Sequence, residues 1–97
     1  MRTITQNSVN AFLNNETFKS SNTTVTIEKN GEIQLRLHGN LIARKNPVDN
    51  TIKISSCGWQ TNTTKERLNG LPNVSIRQIK GQWYLNGIVW SGDLTTI

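Results

Sequence analysis

A single cysteine, Cys57, excludes any intramolecular disulfide framework, so the fold has to stand on packing alone. One histidine, His38, added to that cysteine cannot build a Cys/His metal cluster, and the six Asp and Glu are dispersed along the chain. No metal or other cofactor is therefore expected. No apolar run is long enough to cross a membrane, and the N-terminal MRTITQNS lacks the apolar region of a signal peptide. The expected compartment is the cytoplasm. Charged residues reach only 18%, below the roughly 25% of ordinary globular domains, which is not the profile of a disordered chain. Apolar residues are also sparse, at 34%, and Asn and Thr fill the deficit. Four glycosylation patterns, beginning at Asn15, Asn22, Asn62 and Asn73, follow from that richness and carry no weight in a cytosolic chain.

What is present suffices for a single α+β domain over residues 1–97. Three Trp, two Phe and recurring Ile, Val and Leu supply a thin core. A thin core implies modest stability, or a partner surface that covers part of it. Val9, Phe12 and Leu13 form one apolar stripe at helical spacing, with Asn7 or Ser8 as its cap. Phe18 packs on its own.

Residues 24–55 read as an antiparallel meander, in which Val25 and Ile27, Ile33, Leu35 and Leu37, Leu41 and Ala43, and Ile52 and Ile54 face inward. A two-residue turn at Asn30-Gly31 would oppose Ile27 to Gln34 and mix the faces. A longer loop opposes Ile27 to Ile33 and uses Gly31 for positive φ. The same logic pairs Leu37 with Leu41. Thr63-Thr64-Lys65-Glu66 has the form of a capping box for a short helix that Gly70 and Pro72 end.

Val74 and Ile76 open a second β unit, and Ile79 breaks its parity, which suggests a bulge or an early strand end. Asn86-Gly87 closes a hairpin that pairs Leu85 with Ile88, Tyr84 with Val89 and Trp83 with Trp90. Trp83, Leu85, Ile88 and Trp90 then share the buried side. The expected fold is α+β, a mostly antiparallel sheet of hairpins with two short helices packed on one face.

Chemistry has few candidates. A Cys57/His38 dyad would need the two side chains within about 3 Å, and His38 lies in a hairpin loop. The plain reading of Cys57 is a small filler, and that of His38 a turn residue. No paired carboxylates or phosphate-cradling glycine pattern stands out, so an enzyme is not expected. The net charge of +5 attracts anionic partners. The meander register sends Arg36, Arg44 and Lys53 to its open side, beside Gln34 and Ile42. Lys65 and Arg67, and Arg77 and Lys80, add further cations. Trp59 and Tyr84 are candidate stacking groups. An ordinary solvated face explains the same cations, and no helix-turn-helix, RRM or zinc-finger signature accompanies them. Protein binding competes equally, with Tyr84 and Val89 on the outward side of the last hairpin. Unpaired sheet edges can also recruit a second copy, making a homo-oligomer a further partner class.

Three segments carry a resemblance: Leu37 to Ala43 (LHGNLIA), Gly58 to Asn69 (GWQTNTTKERLN) and Gly81 to Gly87 (GQWYLNG). Together they resemble a family of small uncharacterised accessory proteins of tailed bacteriophages, over nearly the whole chain. The resemblance implies a protein made in the host bacterial cytoplasm and transfers no activity, cofactor or catalytic residue. It points to binding of host enzymes, defence complexes or nucleic acid.

The leading expectation is a non-catalytic accessory protein that contacts DNA or RNA through Arg36, Arg44, Lys53, Lys65 and Arg67. The alternative is a modulator or inhibitor of a host protein, with Tyr84 and Val89 at its interface. An unencumbered basic patch favours the first. Neutralisation by Glu28 or Glu32, with Tyr84 and Val89 in an open apolar patch, favours the second.

Overall fold

The computed structural model describes residues 2–97, and it is an α+β fold of two antiparallel sheets with two short helices packed against them. The chain runs α1 (Thr3–Leu13), β1 (Phe18–Ser20), β2 (Thr23–Ile27), β3 (Ile33–Leu37), β4 (Asn40–Lys45), β5 (Ile52–Ile54), α2 (Asn62–Asn69), β6 (Ile76–Ile79), β7 (Gln82–Leu85), β8 (Ile88–Val89) and β9 (Thr95–Thr96). Strands β1 to β5 follow one another as a meander, and β9 returns to its far edge beside β5. Strands β6, β7 and β8 form the smaller sheet.

Helix α1 starts well before the cap expected at Asn7 or Ser8. Thr5, Ser8, Val9 and Phe12 make its buried stripe. Both hydroxyls have partners: Ser8 Oγ donates to the Thr5 carbonyl (3.1 Å), and Thr5 Oγ1 donates to Glu66 Oε1 (2.6 Å). A polar residue satisfied in this way occupies a core position that sequence pattern alone reads as solvent or cap. Lys45, on the inward side of β4, donates from Nζ to the Leu13 carbonyl (2.7 Å). It thereby satisfies an orphan carbonyl at the negative end of the helix.

The first hairpin register is as expected, with Ile27 opposite Ile33 and Gly31 at φ 89° in the loop. The second is not. Leu37 pairs with Asn40 and Arg36 with Leu41, across a His38-Gly39 turn whose residues both have positive φ. A bulge between Leu35 and Arg36 then restores the alternation. The extra residue on β4 turns both Ile42 and Ala43 into the core. Ile42, expected on the open side, is therefore fully enclosed.

Helix α2 is capped by Thr61, whose Oγ1 accepts from Thr64 N–H (3.1 Å), and not by the Thr63/Glu66 box. Glu66 is instead recruited by α1. Gly70 ends α2 in an ordinary helical conformation, so left-handed freedom is not its purpose. A Cβ there would lie 2.8 Å from Val9 Cγ2 and 3.0 Å from Thr5 Cγ2. Close approach of the two helices requires glycine.

In the small sheet, Asn86-Gly87 makes the expected two-residue turn, pairing Leu85 with Ile88 and Tyr84 with Val89. Trp83 and Trp90 are buried and stacked, with ring centroids 6.2 Å apart. Trp90 Nε1 donates to Thr95 Oγ1 (2.9 Å), which ties this hairpin to β9. Ile88 departs from expectation and is 73% exposed, because β8 ends at the sheet edge beyond the reach of the core. Ile79 causes no bulge. Strand β6 stays in register through Ile79 opposite Gln82, and Ile79 points outward.

Two candidate binding faces

The open side of the large sheet brings together the three cations expected there. Arg44 is the cross-strand neighbour of both Gln34 and Lys53, and Arg36 lies two residues along from Gln34 on the same side. One of the three charges, that of Arg44, is paired with a carboxylate. Glu32 grips Arg44 through two bonds, Nε to Oε1 at 3.0 Å and Nη2 to Oε2 at 2.9 Å. Gln34 donates to Glu32 Oε1 (2.8 Å) and accepts from Arg36 Nη2 (2.6 Å). One chain of hydrogen bonds therefore runs from Arg36 through Gln34 and Glu32 to Arg44.

The hydrogen bond from Arg44, aided by that from Gln34, holds the Glu32 carboxyl below its usual range and keeps it ionised. The same bond raises the Arg44 pKa. Asp49 adds a second carboxylate. It is held below the usual range chiefly by hydrogen bonds from Thr51, and it lines a cleft of about 220 Å³ with Glu32, Arg44 and Lys53. The face is mixed in sign rather than uniformly basic.

The two α2 cations do not extend it. Arg67, expected at a nucleic-acid surface, is 1% exposed. Its Nε donates to Thr23 Oγ1 (3.2 Å) and its Nη1 to Thr5 Oγ1 and Glu66 Oε1 (3.1 Å). Burial lowers its pKa, and Glu66 opposes that shift. This guanidinium joins α1, β2 and α2 and is out of reach of any phosphate. Lys65 lies beside the small sheet, its Nζ on Gln78 Oε1 (2.9 Å) and 5.8 Å from the Trp83 ring centroid.

The outer side of the small sheet has a different character. Ile79, Tyr84 and Val89 project from it on β6, β7 and β8, with Arg77 directly across from Tyr84. Ile79 is 54% exposed, Val89 61%, and Ile88 stands open at the adjoining edge. Tyr84 is half-buried. A shallow hollow on this side is lined by Arg77, Ile79, Tyr84 and Asn86. On this face two large aliphatic side chains, Ile79 and Val89, are thus more than half exposed beside Tyr84, while Ile88, paired with Leu85, is exposed on the other side of the same edge strand.

A family model described as Kyanoviridae Gp96 protein matches residues 1–96. The chain belongs to the Kyanoviridae Gp96 protein family. It is thus a bacteriophage protein. No curated protein and no solved structure matches it.

Cys57 and His38 are engaged with other partners. Cys57 Sγ donates to the Leu41 carbonyl (2.6 Å), and His38 Nε2 contacts Asn22 Nδ2 (3.3 Å). Among the described residues, no three of His, Cys, Asp and Glu come together as metal ligands. No helix among them is long and apolar enough to cross a membrane. Trp59 is half-exposed in the turn after β5, apart from the charged strands. Ile79 and Ile88 are the interface candidates that sequence reading left out. The broken parity at Ile79 was the available signal, since an aliphatic residue on a strand's polar side is either a register break or an exposed contact.

Proposed function

We propose that this phage protein is a non-catalytic accessory protein that works in the host bacterial cytoplasm by docking on a host protein. The docking surface is the outer side of the small sheet. The observation that carries this reading is the exposure of Ile79 and Val89 on the face of Tyr84, with Ile88 open at the adjoining edge, while Glu32 occupies Arg44 on the other candidate face. An apolar centre with a polar surround is the composition of a protein interface, and a central aromatic is a favoured anchor. A mixed-sign face with a chelated arginine releases few counterions and binds nucleic acid weakly.

Nucleic-acid contact through the large sheet is the second reading. It draws on the net charge of +5 and on Arg36, which has no carboxylate partner among the described residues. Binding to labelled DNA and RNA across a salt series separates the two. The docking reading expects only weak, non-specific association at about 50 mM salt, changed no more than about twofold in an Arg36/Arg44/Lys53 triple alanine variant. Salt-sensitive binding that this variant loses while still folded would refute it.

A further inference from the structure

The charge around the outer side of the small sheet narrows what can dock there. From Arg67 to Gly92 the chain contains no Asp or Glu. Within that stretch Arg77 projects beside Ile79 and across from Tyr84, and Lys80 stands exposed in the turn that follows. Glu66, which precedes the stretch, is drawn to the other side of α2 by Arg2 Nε (2.9 Å), Thr5 Oγ1 (2.6 Å) and Arg67, and Asp93, which follows it, lies next to the inward-facing Trp90, whose Nε1 donates to its carbonyl (3.2 Å). The apolar centre is therefore bordered by cations and by no opposing carboxylate of its own sheet.

Three occupants compete for such a surface. A second copy would set Arg77 and Lys80 of one molecule against the same pair of another, and like charges placed face to face disfavour it. Single-stranded nucleic acid would find cations but one aromatic, half-buried, for stacking, while Ile79, Ile88 and Val89 offer a base no comparable contact. An acidic protein segment satisfies both halves of the surface. Its large apolar side chains cover the aliphatic centre, and its carboxylates meet Arg77 and Lys80.

We infer, resting on the docking reading above, that the partner presents an acidic segment in which Asp or Glu alternates with large apolar residues. Charge complementarity steers its approach, and the buried apolar contacts hold it.

The test uses the full chain and short fluorescent peptides in which leucine and serine are interspersed with glutamate, glutamine or lysine, together with a single-stranded oligonucleotide. The glutamate peptide is expected to bind at least about tenfold tighter than the glutamine peptide at about 50 mM salt, with the advantage shrinking in high salt. Arg77→Glu with Lys80→Glu should transfer the preference to the lysine peptide. Ile79→Ser with Val89→Ser should weaken binding of both. All four positions are exposed, so circular dichroism is expected to show both variants folded.

Equal affinity for the glutamate and glutamine peptides, both lost in the Ile79/Val89 variant, would overturn the acidic partner and leave the docking face standing. Glutamate-peptide binding that ignores the Ile79/Val89 variant would overturn the docking face itself. Tighter binding of the oligonucleotide through Arg77 and Lys80, or no binding of the glutamate peptide, would also overturn the proposal.

Discussion

Replacing Arg67 by alanine separates a structural guanidinium from a phosphate contact. The side chain is 1% exposed and donates to Thr5 on α1, Thr23 on β2 and Glu66 on α2. Alanine removes one donor from each of those acceptors, leaving Glu66 to Arg2 and Thr5, and opens a cavity where three elements meet. Hydrogen bonds to charged groups contribute about 1.5–3 kcal/mol each, but desolvation of the guanidinium offsets much of that sum. Glu66 keeps Arg2 and Thr5, so the relevant figure is the cost of truncating a large, fully buried side chain, about 3–5 kcal/mol. A domain of this size has about 5–15 kcal/mol in total. Each kcal/mol moves the melting temperature by about 4–8 °C, so a fall of about 15 °C or more is expected. Thermal and urea unfolding, followed through the buried Trp83 and Trp90, measure it. Arg36→Ala is the control and should stay within about 0.5 kcal/mol. An Arg67→Ala protein that melts within about 3 °C of the parent would refute the assignment.

Gly70→Ala should destabilise by about 1–3 kcal/mol through the clash with Val9, and adding Val9→Ala should recover part of that loss, as denaturant titration of the three variants would read. The Glu66 carboxyl is held below its usual range first by the Thr5 hydroxyl and then by Arg2. Its stabilisation is therefore full above the ordinary Glu pKa and is lost as pH falls through the lower folded value; Glu66→Gln should flatten that part of an acid-unfolding curve. Glu32→Gln should release the Arg44 charge and raise weak DNA association at low salt by a few-fold, measured by fluorescence anisotropy. Val89→Ser should change stability by no more than about 0.5 kcal/mol, since the side chain already stands in solvent.

The elements most legible in the sequence were those set by period and turn chemistry. Face consistency placed Ile27 opposite Ile33, and Asn86-Gly87 set the last hairpin, because a one-residue shift in pairing and a positive-φ turn leave clear traces in residue order. What escaped depended on contacts between distant segments. Thr5 and Ser8 look like helix-surface residues until Glu66 and a backbone carbonyl satisfy them. Arg67 looks like a surface cation until three elements close around it. The bulge that buries Ile42 has no local marker, because its role is to reconcile a short turn with core packing on both strands.

The candidate site was legible in part for the same reason. Register alone gathered Arg36, Arg44 and Lys53 on one side, but the bidentate grip of Glu32 is a side-chain choice that register does not dictate. Tyr84 and Val89 followed from hairpin parity. Ile88 was assigned to the core by that parity, and only the end of the sheet at β8 leaves it exposed.

The docking face is tested most directly by placing a photo-crosslinking amino acid in place of Ile79 and, separately, in place of Arg36, and irradiating each protein in host lysate. Crosslinking of one host protein from position 79, with none from position 36, is the predicted result. Crosslinking to nucleic acid from position 36, with position 79 silent, would contradict the account and return the function to the large sheet.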